Sequence, residues 1–182
     1  VVAPLTPARR QWETGNGGGG GMFEIRVSDL PDSVRLRREW ATKAIGLFDP
    51  DDSRRPAGSD TYHQECFYDL EDIIDPAQAP SREAVARILR YAAGFGPGDR
   101  VLVHCVAGIS RSTAVAILVL VGHGMAPGPA FAHVARLRPA MSPNMLVLEH
   151  GDRLLDLGGQ LKHAYLDWHR AAIAAAAAGS AP

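Results

Sequence analysis

The sequence predicts an α/β domain in which helices flank a central, twisted and mostly parallel sheet of four to five strands. Two observations lead to this fold class. Short apolar segments with strand-like patterns alternate with segments in which apolar residues recur at helical spacing. Helical patterns then dominate the second half of the chain, which indicates a helical layer on at least one face of the sheet.

Four segments carry the strand patterns. Phe23 to Val27 alternates apolar and polar residues, as a half-buried strand does. Lys43 to Phe48 and Gln64 to Leu70 are predicted to be the second and third strands, separated by a polar loop of turn-forming residues at 49–60. Val101 to His104 is a short apolar segment typical of a buried parallel strand.

The helical patterns follow the strands closely. Ser81 is the predicted N-cap of a helix that ends near Gly94. The other predicted helices lie at 31–40, Thr113 to Val121, Gly128 to Leu137, Asn144 to Leu157, and from Gln160 into an alanine-rich tail. We expect one folded domain at 22–175, preceded by a disordered segment at 1–21 that ends in a glycine run, and followed by a disordered tail at 176–182.

The composition limits the possible functions. The 182-residue chain has a formal net charge of −1, so it lacks the overall basic field that favours nucleic acid. We therefore expect any affinity for anions to come from a local site. Two cysteines are too few for a disulfide scaffold and fit a reducing compartment, and no apolar run is long enough to span a membrane. The expectation is a cytoplasmic monomer.

The segment from His104 to Ser112 has the strongest functional pattern, because it joins an apolar strand to an apolar helix. A loop that enters a helix N-terminus presents unpaired backbone N–H groups and the positive end of the helix dipole. Successive N–H groups can surround an anion, and the same field favours the thiolate form of a cysteine. Cys105 stands at the start of this loop, so we expect a sulfur nucleophile there.

Three later residues complete the predicted site. The planar guanidinium of Arg111 can hold two oxygens of a tetrahedral anion, and would gain contacts as phosphorus becomes trigonal. Gly108 allows a tight turn and keeps a side chain away from the phosphate. Ser112 is placed to hydrogen-bond the sulfur when it leaves. The loop residues between Cys105 and Arg111 would bind substrate through their backbone: Val106, Ala107, Gly108, Ile109 and Ser110.

These residues resemble the protein tyrosine phosphatase superfamily, which has His-Cys, five residues, and then Arg-Ser or Arg-Thr. The stretch from Ala107 to Ser112 is similar to the dual-specificity branch, as is Ser-Pro-Asn at 142–144, and the compact form looks like small bacterial members. The resemblance covers roughly 60–157, with a weaker match from 22. It implies the cysteine-phosphatase fold and hydrolysis of phosphate monoesters through a phosphocysteine intermediate. Protein phosphotyrosine is the main expected substrate, with phosphoserine and phosphothreonine as alternatives that the sequence leaves open.

The resemblance also implies a general acid, an Asp on a loop roughly thirty residues before the cysteine. Asp72 is the main candidate because it directly follows the predicted third strand. Asp75 is the alternative, followed by Asp69, which the strand pattern places inside the strand, and by Glu71. The same carboxylate would later activate water, and the reaction would need no metal or other cofactor.

The remaining candidates have supporting roles. The resemblance implies that His104 orients the loop through the backbone near Cys105. We expect Asn144 to brace a neighbouring loop and not to touch the substrate. Cys66 is predicted to be a core residue, with a regulatory disulfide to Cys105 as the alternative. Family members that act on inositol lipids often carry lysines within the loop, and no loop residue here is basic, so the resemblance implies a phosphorylated protein and not an inositol lipid as substrate. The competing functions are a phosphate-dependent binding module without turnover and a sulfur-transfer or arsenate-reducing enzyme.

Overall fold

The computed structural model describes residues 23–72, 75 and 77–179, and these residues form four strands and six helices. The predicted disordered segment at 1–21 lies outside the described residues. In chain order the elements are β1 (Glu24–Ser28), α1 (Leu30–Glu39), β2 (Lys43–Phe48), β3 (Tyr62–Cys66), α2 (Arg82–Ala92), β4 (Arg100–His104), α3 (Arg111–Gly122), α4 (Pro127–Leu137), α5 (Met145–Leu154) and α6 (Gln160–Gly179).

The described strands form one sheet in the order β1-β4-β2-β3, and every pair of neighbours is parallel. This confirms the predicted fold class, with four strands. The chain passes from β1 across to β2 and later returns to insert β4 between them. Because all four strands run the same way, their carboxyl ends meet at one edge of the sheet, where open α/β folds place their binding sites.

Helices cover both faces of the sheet. On one face, α1 packs Leu30 and Leu36 against Phe48, Tyr62 and Leu102. The other face and the remaining helices form the larger apolar core. Within that core α3 is buried along its whole length up to Val121, and a helix that is apolar all round needs such surroundings. The N-terminus of α3 is therefore held rigidly against the end of β4.

The third strand was predicted to reach Leu70, and this was wrong. β3 ends at Cys66, because the Phe67 N–H makes a last bond to Phe48 O (3.0 Å) and the Tyr68 N–H then bonds Gln78 O (2.9 Å). The chain has left the sheet at that point. Asp69 consequently lies in the loop that follows the strand and not within the strand.

One helix end also differs from the prediction. α5 stops at Leu154, short of Leu157, because Asp156 adopts a left-handed conformation (φ 54°) that no α-helix contains. α6 runs from Gln160 to Gly179, into the alanine-rich tail as predicted, while the domain bounds at 22–175 and 176–182 stay a prediction. None of the helices formed by the described residues is long and apolar enough to cross a membrane.

Candidate active site

Three polar segments meet at the carboxyl edge of the sheet. Cys105 follows β4, Asp49 follows β2, and the segment from Phe67 to Asp69 follows β3. The side chain of Arg111, the first residue of α3, contacts both of the other two segments. This edge therefore gathers one thiol, one guanidinium and two carboxylates from distant parts of the chain.

The anion-binding loop, defined as Val106–Ser110, has every carbonyl oxygen bonded to the surrounding scaffold. The donors are the N–H of Leu30 to Val106 O (3.1 Å), the guanidinium of Arg138 to Ala107 O and Gly108 O (3.0 Å each), the N–H of Ser142 to Ile109 O (3.0 Å), and the N–H of Ala114 to Ser110 O (3.0 Å). These bonds fix the orientation of each peptide unit in the loop.

The amide side of the loop is different. The backbone N–H groups of Val106, Ala107, Ile109 and Ser110 donate to no other residue in the described part of the chain. Ser110 is the N-cap of α3, yet its hydroxyl makes no capping bond, so the first N–H groups of the helix stay free as well. A row of free N–H groups at the N-terminus of a helix is a binding site for an anion.

Cys105 lies at the bottom of this loop, with 2% of its surface exposed. Its Sγ accepts the N–H of Gly108 (3.2 Å) and lies 3.2 Å from the Ser112 hydroxyl. The structure thus brings together the sulfur and the hydroxyl that the sequence pattern associates with it. Both contacts stabilise negative charge on sulfur.

Gly108 is required for this arrangement. Its φ is +70°, which side chains disfavour, and a Cβ at this position would lie 2.6 Å from the Ser28 carbonyl carbon and 2.7 Å from the Arg138 guanidinium. Any larger residue would push the loop away from the end of β1 and from the arginine that holds its carbonyl groups.

Arg111 is 3% exposed and its guanidinium is fixed from one side. Its Nη1 donates to Asp49 Oδ1 and to Phe67 O, at 2.7 Å each. Its Nε is buried and has no hydrogen-bond partner among the described residues, and the nearest carboxylate oxygen recorded for it is Asp69 Oδ2, at 3.8 Å. A buried donor without a hydrogen-bond partner costs folding free energy, so this N–H is suited to donate a hydrogen bond to an oxygen of a ligand.

Asp69 is tied to the anion-binding loop. Its Oδ1 accepts the Ser110 hydroxyl (2.7 Å) and the Asn144 side-chain amide (2.8 Å). Asn144 also donates to Leu70 O (3.1 Å), so it braces the loop that follows β3, as expected from the sequence. The argument that ranked Asp69 low, its place inside a strand, does not hold in the structure.

The other candidate acids lie farther from these contacts. Asp72 is exposed and makes no hydrogen bond or ion pair with another described residue. Asp75 uses its carboxylate within its own turn, where it accepts the N–H of Ala77 (3.0 Å) and the amide of Gln78 (2.6 Å). The structure therefore places Asp69 beside Arg111 and leaves Asp72 and Asp75 as predictions.

His104 is buried beneath the loop. Its Nε2 lies 2.7 Å from the Tyr62 hydroxyl, and its buried Nδ1 has no hydrogen-bond partner among the described residues, although the Cys105 backbone lies near the ring. Burial, together with the nearby Arg37, lowers the pKa of His104 to about 4. A neutral imidazole at this position supports the backbone that leads into Cys105.

Sequence reasoning missed Asp49 and Arg138. Asp49 was counted only as part of a polar loop, although a carboxylate directly after a strand lies at the carboxyl edge where Cys105 also lies. Arg138 had no signal of its own, because its contacts with the loop join residues thirty positions apart. Both are identified only through the tertiary structure.

The alternative of a disulfide between Cys66 and Cys105 conflicts with the sheet. Cys66 ends β3 and Cys105 follows β4, and β2 lies between these two strands. Neighbouring strands are about 4.8 Å apart, so the two residues are separated by roughly 9–10 Å. A disulfide needs Cα atoms within about 7 Å, which excludes this bond without movement of the backbone.

Comparison with known proteins agrees with this geometry. No protein-family model and no curated protein matches the chain. Among solved structures, PTPMT1 in complex with PI(5)P has a TM-score of 0.51 and 19% identity, covering 73% of this chain and 90% of that one. DUSP15 has a TM-score of 0.51 and 20% identity, covering 84% and 97%. The PTP-2 phosphatase of Cydia pomonella has a TM-score of 0.50 and 20% identity, covering 72% and 83%.

The chain therefore shares the fold of these solved phosphatases, and the fold implied by the sequence resemblance is confirmed. The described residues contain no group of three His, Cys, Asp or Glu side chains that could hold a metal ion.

Proposed function

We propose that the chain is a cysteine-dependent phosphatase that hydrolyses phosphate monoesters on proteins, phosphotyrosine above all, through a phosphocysteine intermediate. One observation carries the proposal. Each carbonyl of the anion-binding loop is bonded to the scaffold, while all of its N–H groups except that of Gly108 stay free of partners among the described residues, beside Cys105 Sγ and an arginine with an unpartnered Nε. The fold shared with dual-specificity phosphatases supports the same function.

In the first step the Cys105 thiolate attacks phosphorus, forming an S–P bond as the bond from phosphorus to the ester oxygen breaks. The loop N–H groups and Arg111 bind the three non-bridging oxygens. Since Arg111 is already held by Asp49 and Phe67 O, it need not reorganise as charge spreads in the transition state. The leaving oxygen takes a proton from a carboxylic acid.

We propose Asp69 as that acid. Its Oδ1 is held by Ser110 and Asn144, and its Oδ2 faces the guanidinium that would bind the phosphate. Asp72, the candidate favoured by position in the sequence, remains the alternative, since it lies three residues farther along the same exposed loop. The two assignments differ in which carboxylate is needed when the leaving group is a poor one.

In the second step water attacks the phosphocysteine, the S–P bond breaks, and the carboxylate accepts a proton from that water. Sulfur leaves as a thiolate. The Ser112 hydroxyl, 3.2 Å from Cys105 Sγ, is placed to donate a hydrogen bond to it at that moment. His104 takes no proton in this scheme, because its pKa of about 4 keeps it neutral near pH 7.

The test of the proposal is hydrolysis of p-nitrophenyl phosphate and of a phosphotyrosine peptide. Wild type should release phosphate, Cys105→Ser should not, and the matched control Cys66→Ser should keep the activity because the Cys66 side chain packs against the apolar cluster on the α1 face of the sheet and not against the anion-binding loop. Retention of peptide binding by Cys105→Ser would fit the same account. Equal activity of Cys105→Ser and wild type would refute it.

The phosphopeptide assay and two further assays separate the competing functions. A binding module would bind the phosphopeptide without releasing phosphate. A sulfur-transfer enzyme would accumulate a persulfide on Cys105 after treatment with thiosulfate. A phosphatase would form no persulfide under the same treatment. An inositol lipid substrate, such as the PI(5)P bound to PTPMT1, would be hydrolysed in vesicles faster than the phosphopeptide.

A further inference from the structure

We propose that a rim of carboxylates beside the anion-binding loop selects phosphate monoesters flanked by a basic side chain and disfavours substrates that carry a second phosphate nearby. The acidic rim is defined as Asp49, Asp51, Asp52 and Asp69, from the loops that follow β2 and β3. The inference rests on the proposed function, because it concerns the substrate of the same site.

Two members of the acidic rim already have a cation. Asp49 pairs with Arg111 at 2.7 Å. Asp52 accepts both Nε (2.8 Å) and Nη2 (2.7 Å) of Arg54, and these bonds lower the pKa of its carboxyl. The carboxylate of Asp52 thus compensates the charge of Arg54, and that of Asp49 compensates part of the charge of Arg111.

The other two members are less compensated. Asp51 is exposed and forms no ion pair with any residue in the described part of the chain. It lies beside the Tyr68 hydroxyl, whose pKa is raised by burial and then by Asp51. The Asp69 carboxylate is 37% exposed and is bonded chiefly by the neutral groups of Ser110 and Asn144. Negative charge therefore remains on this side of the site.

The nearby cations do not offset that charge. Arg55 contacts the sulfur of Cys66. Arg138 lies at the loop carbonyl groups and donates to Ala107 O and Gly108 O. Neither is directed at Asp51 or Asp69. A substrate that approaches over the acidic rim thus meets carboxylates whose attraction is still available to a cation of its own.

The site itself is built for one phosphate. The Nε of the buried Arg111 is an unpartnered donor next to the anion-binding loop, which identifies where that phosphate binds. A second phosphate would lie outside the loop, among carboxylates. At about 4 Å in a high-dielectric environment, one pair of unit charges changes a binding constant roughly fivefold. Salt should weaken this effect, because the rim is exposed.

The experiment uses the full chain and three phosphotyrosine peptides that differ only next to the phosphotyrosine, where they carry Arg, Ala or phosphoserine. The variable residue is placed before the phosphotyrosine in one set of peptides and after it in a second set, because the peptide can bind across the site in either chain direction. We expect kcat/KM to fall from Arg to Ala to phosphoserine, by roughly fivefold at each step, and the differences to shrink as salt rises. Equal values for the three peptides at low salt would overturn the inference.

Variants assign the effect to the rim. Asp51→Lys should reduce the preference for Arg, and Asp51→Asn should reduce it by less, while turnover of p-nitrophenyl phosphate stays at the wild-type level. The matched control Asp167→Lys makes the same charge change on an exposed part of α6 and should leave the preference intact. The same loss in both Lys variants would overturn the inference.

The outcomes also separate this inference from the proposed function. Hydrolysis of all three peptides at one rate refutes the selectivity and leaves the phosphatase assignment in place. Failure to hydrolyse any peptide or p-nitrophenyl phosphate refutes the proposed function. Faster hydrolysis of PI(5)P in vesicles than of the Arg-flanked peptide would contradict the inference directly, since that lipid carries a second phosphate group.

Discussion

The two halves of the candidate site are built differently. The anion-binding loop is fixed through its carbonyl groups by backbone bonds and by Arg138, and it is backed by the buried helix α3. The acid-bearing segment, defined as Phe67–Asp72, leaves the sheet after β3 and is held by a few bonds, among them those from Ser110 and Asn144 to Asp69. The loop that binds phosphate is preorganised, whereas the acid depends on a few side chains.

This difference follows from what each half does. A transition state with charge on three equatorial oxygens is stabilised most by donors that do not move, so rigidity of the loop lowers the barrier. A proton donor has only to reach the leaving oxygen, and segments that close over a substrate are drawn from the less stable parts of a fold. The predictions below test this contrast, beginning with the largest effect.

Arg111→Lys should reduce kcat about a thousandfold, because an ammonium cannot keep bonds to Asp49 and Phe67 O while it also binds two phosphate oxygens. The measurement is steady-state hydrolysis of p-nitrophenyl phosphate. Arg138→Lys, which leaves Arg111 untouched and removes only the bidentate contact with the loop carbonyl groups, is the matched comparison and should lose less. A larger loss for Arg138→Lys would show that the guanidinium of Arg111 is not the main stabilising group.

The pH dependence of stability tests the support beneath the loop. Folding lowers the pKa of His104 from 6.5 to about 4, so between these pH values the unfolded chain binds the proton more readily than the folded one. The contribution of His104 to the free energy of unfolding should thus be fully present above pH 6.5. It should fall by about 3 kcal/mol as the pH drops to 4. Urea titrations across this range measure the slope.

Replacement of the histidine isolates its contribution to that slope. His104→Asn should flatten the pH dependence, whereas His163→Asn, at an exposed position on α6, should keep it. If His104→Asn keeps the slope of the wild type, the buried imidazole is not its source.

Asp69→Asn should slow the hydrolysis of substrates with poor leaving groups about a hundredfold and affect p-nitrophenyl phosphate much less, because p-nitrophenolate leaves without a proton. Phenyl phosphate and p-nitrophenyl phosphate make the comparison. Asp72→Asn is the matched variant in the same loop and should behave like wild type. The opposite result would assign the acid to Asp72, and equal losses on both substrates would exclude a role as acid for the residue concerned.

Asn144→Ala should have the smallest effect, about a tenfold loss on phenyl phosphate, because it removes one of the bonds that hold the proposed acid. Its loss on p-nitrophenyl phosphate should be smaller still. That split is the readout, since a change that merely destabilised the fold would lower both rates together. Thermal unfolding of the variant provides the control.

The same contrast explains how much the sequence could predict. The rigid half is encoded locally: His104 to Ser112 lies in one stretch between a strand and a helix, so its residue types and spacing identify the loop, and the parallel sheet follows from the alternating patterns. β2 was predicted from Lys43 to Phe48, as observed. Local signals were sufficient to identify the loop, although the bonds that hold its carbonyl groups come from distant residues such as Leu30 and Arg138.

The acid-bearing half depends on contacts between distant residues, which a single sequence does not reveal. The sequence ranks Asp69 below Asp72 because the strand pattern extends to Leu70, whereas the chain turns toward Gln78 after Phe67. The bonds from Ser110 and Asn144 join residues more than forty positions from Asp69. Asp49 was missed for the same reason, since its partner Arg111 lies on another element.

The measurement that tests the central claim most directly is rapid acid quenching of the enzyme during turnover of a radiolabelled phosphopeptide, followed by peptide mapping. The account predicts phosphate covalently bound to the peptide that contains Cys105, lost in Cys105→Ser and retained in Cys66→Ser. Release of phosphate by wild type with no label on Cys105 at any time would contradict the account, because water would then attack phosphorus without the sulfur.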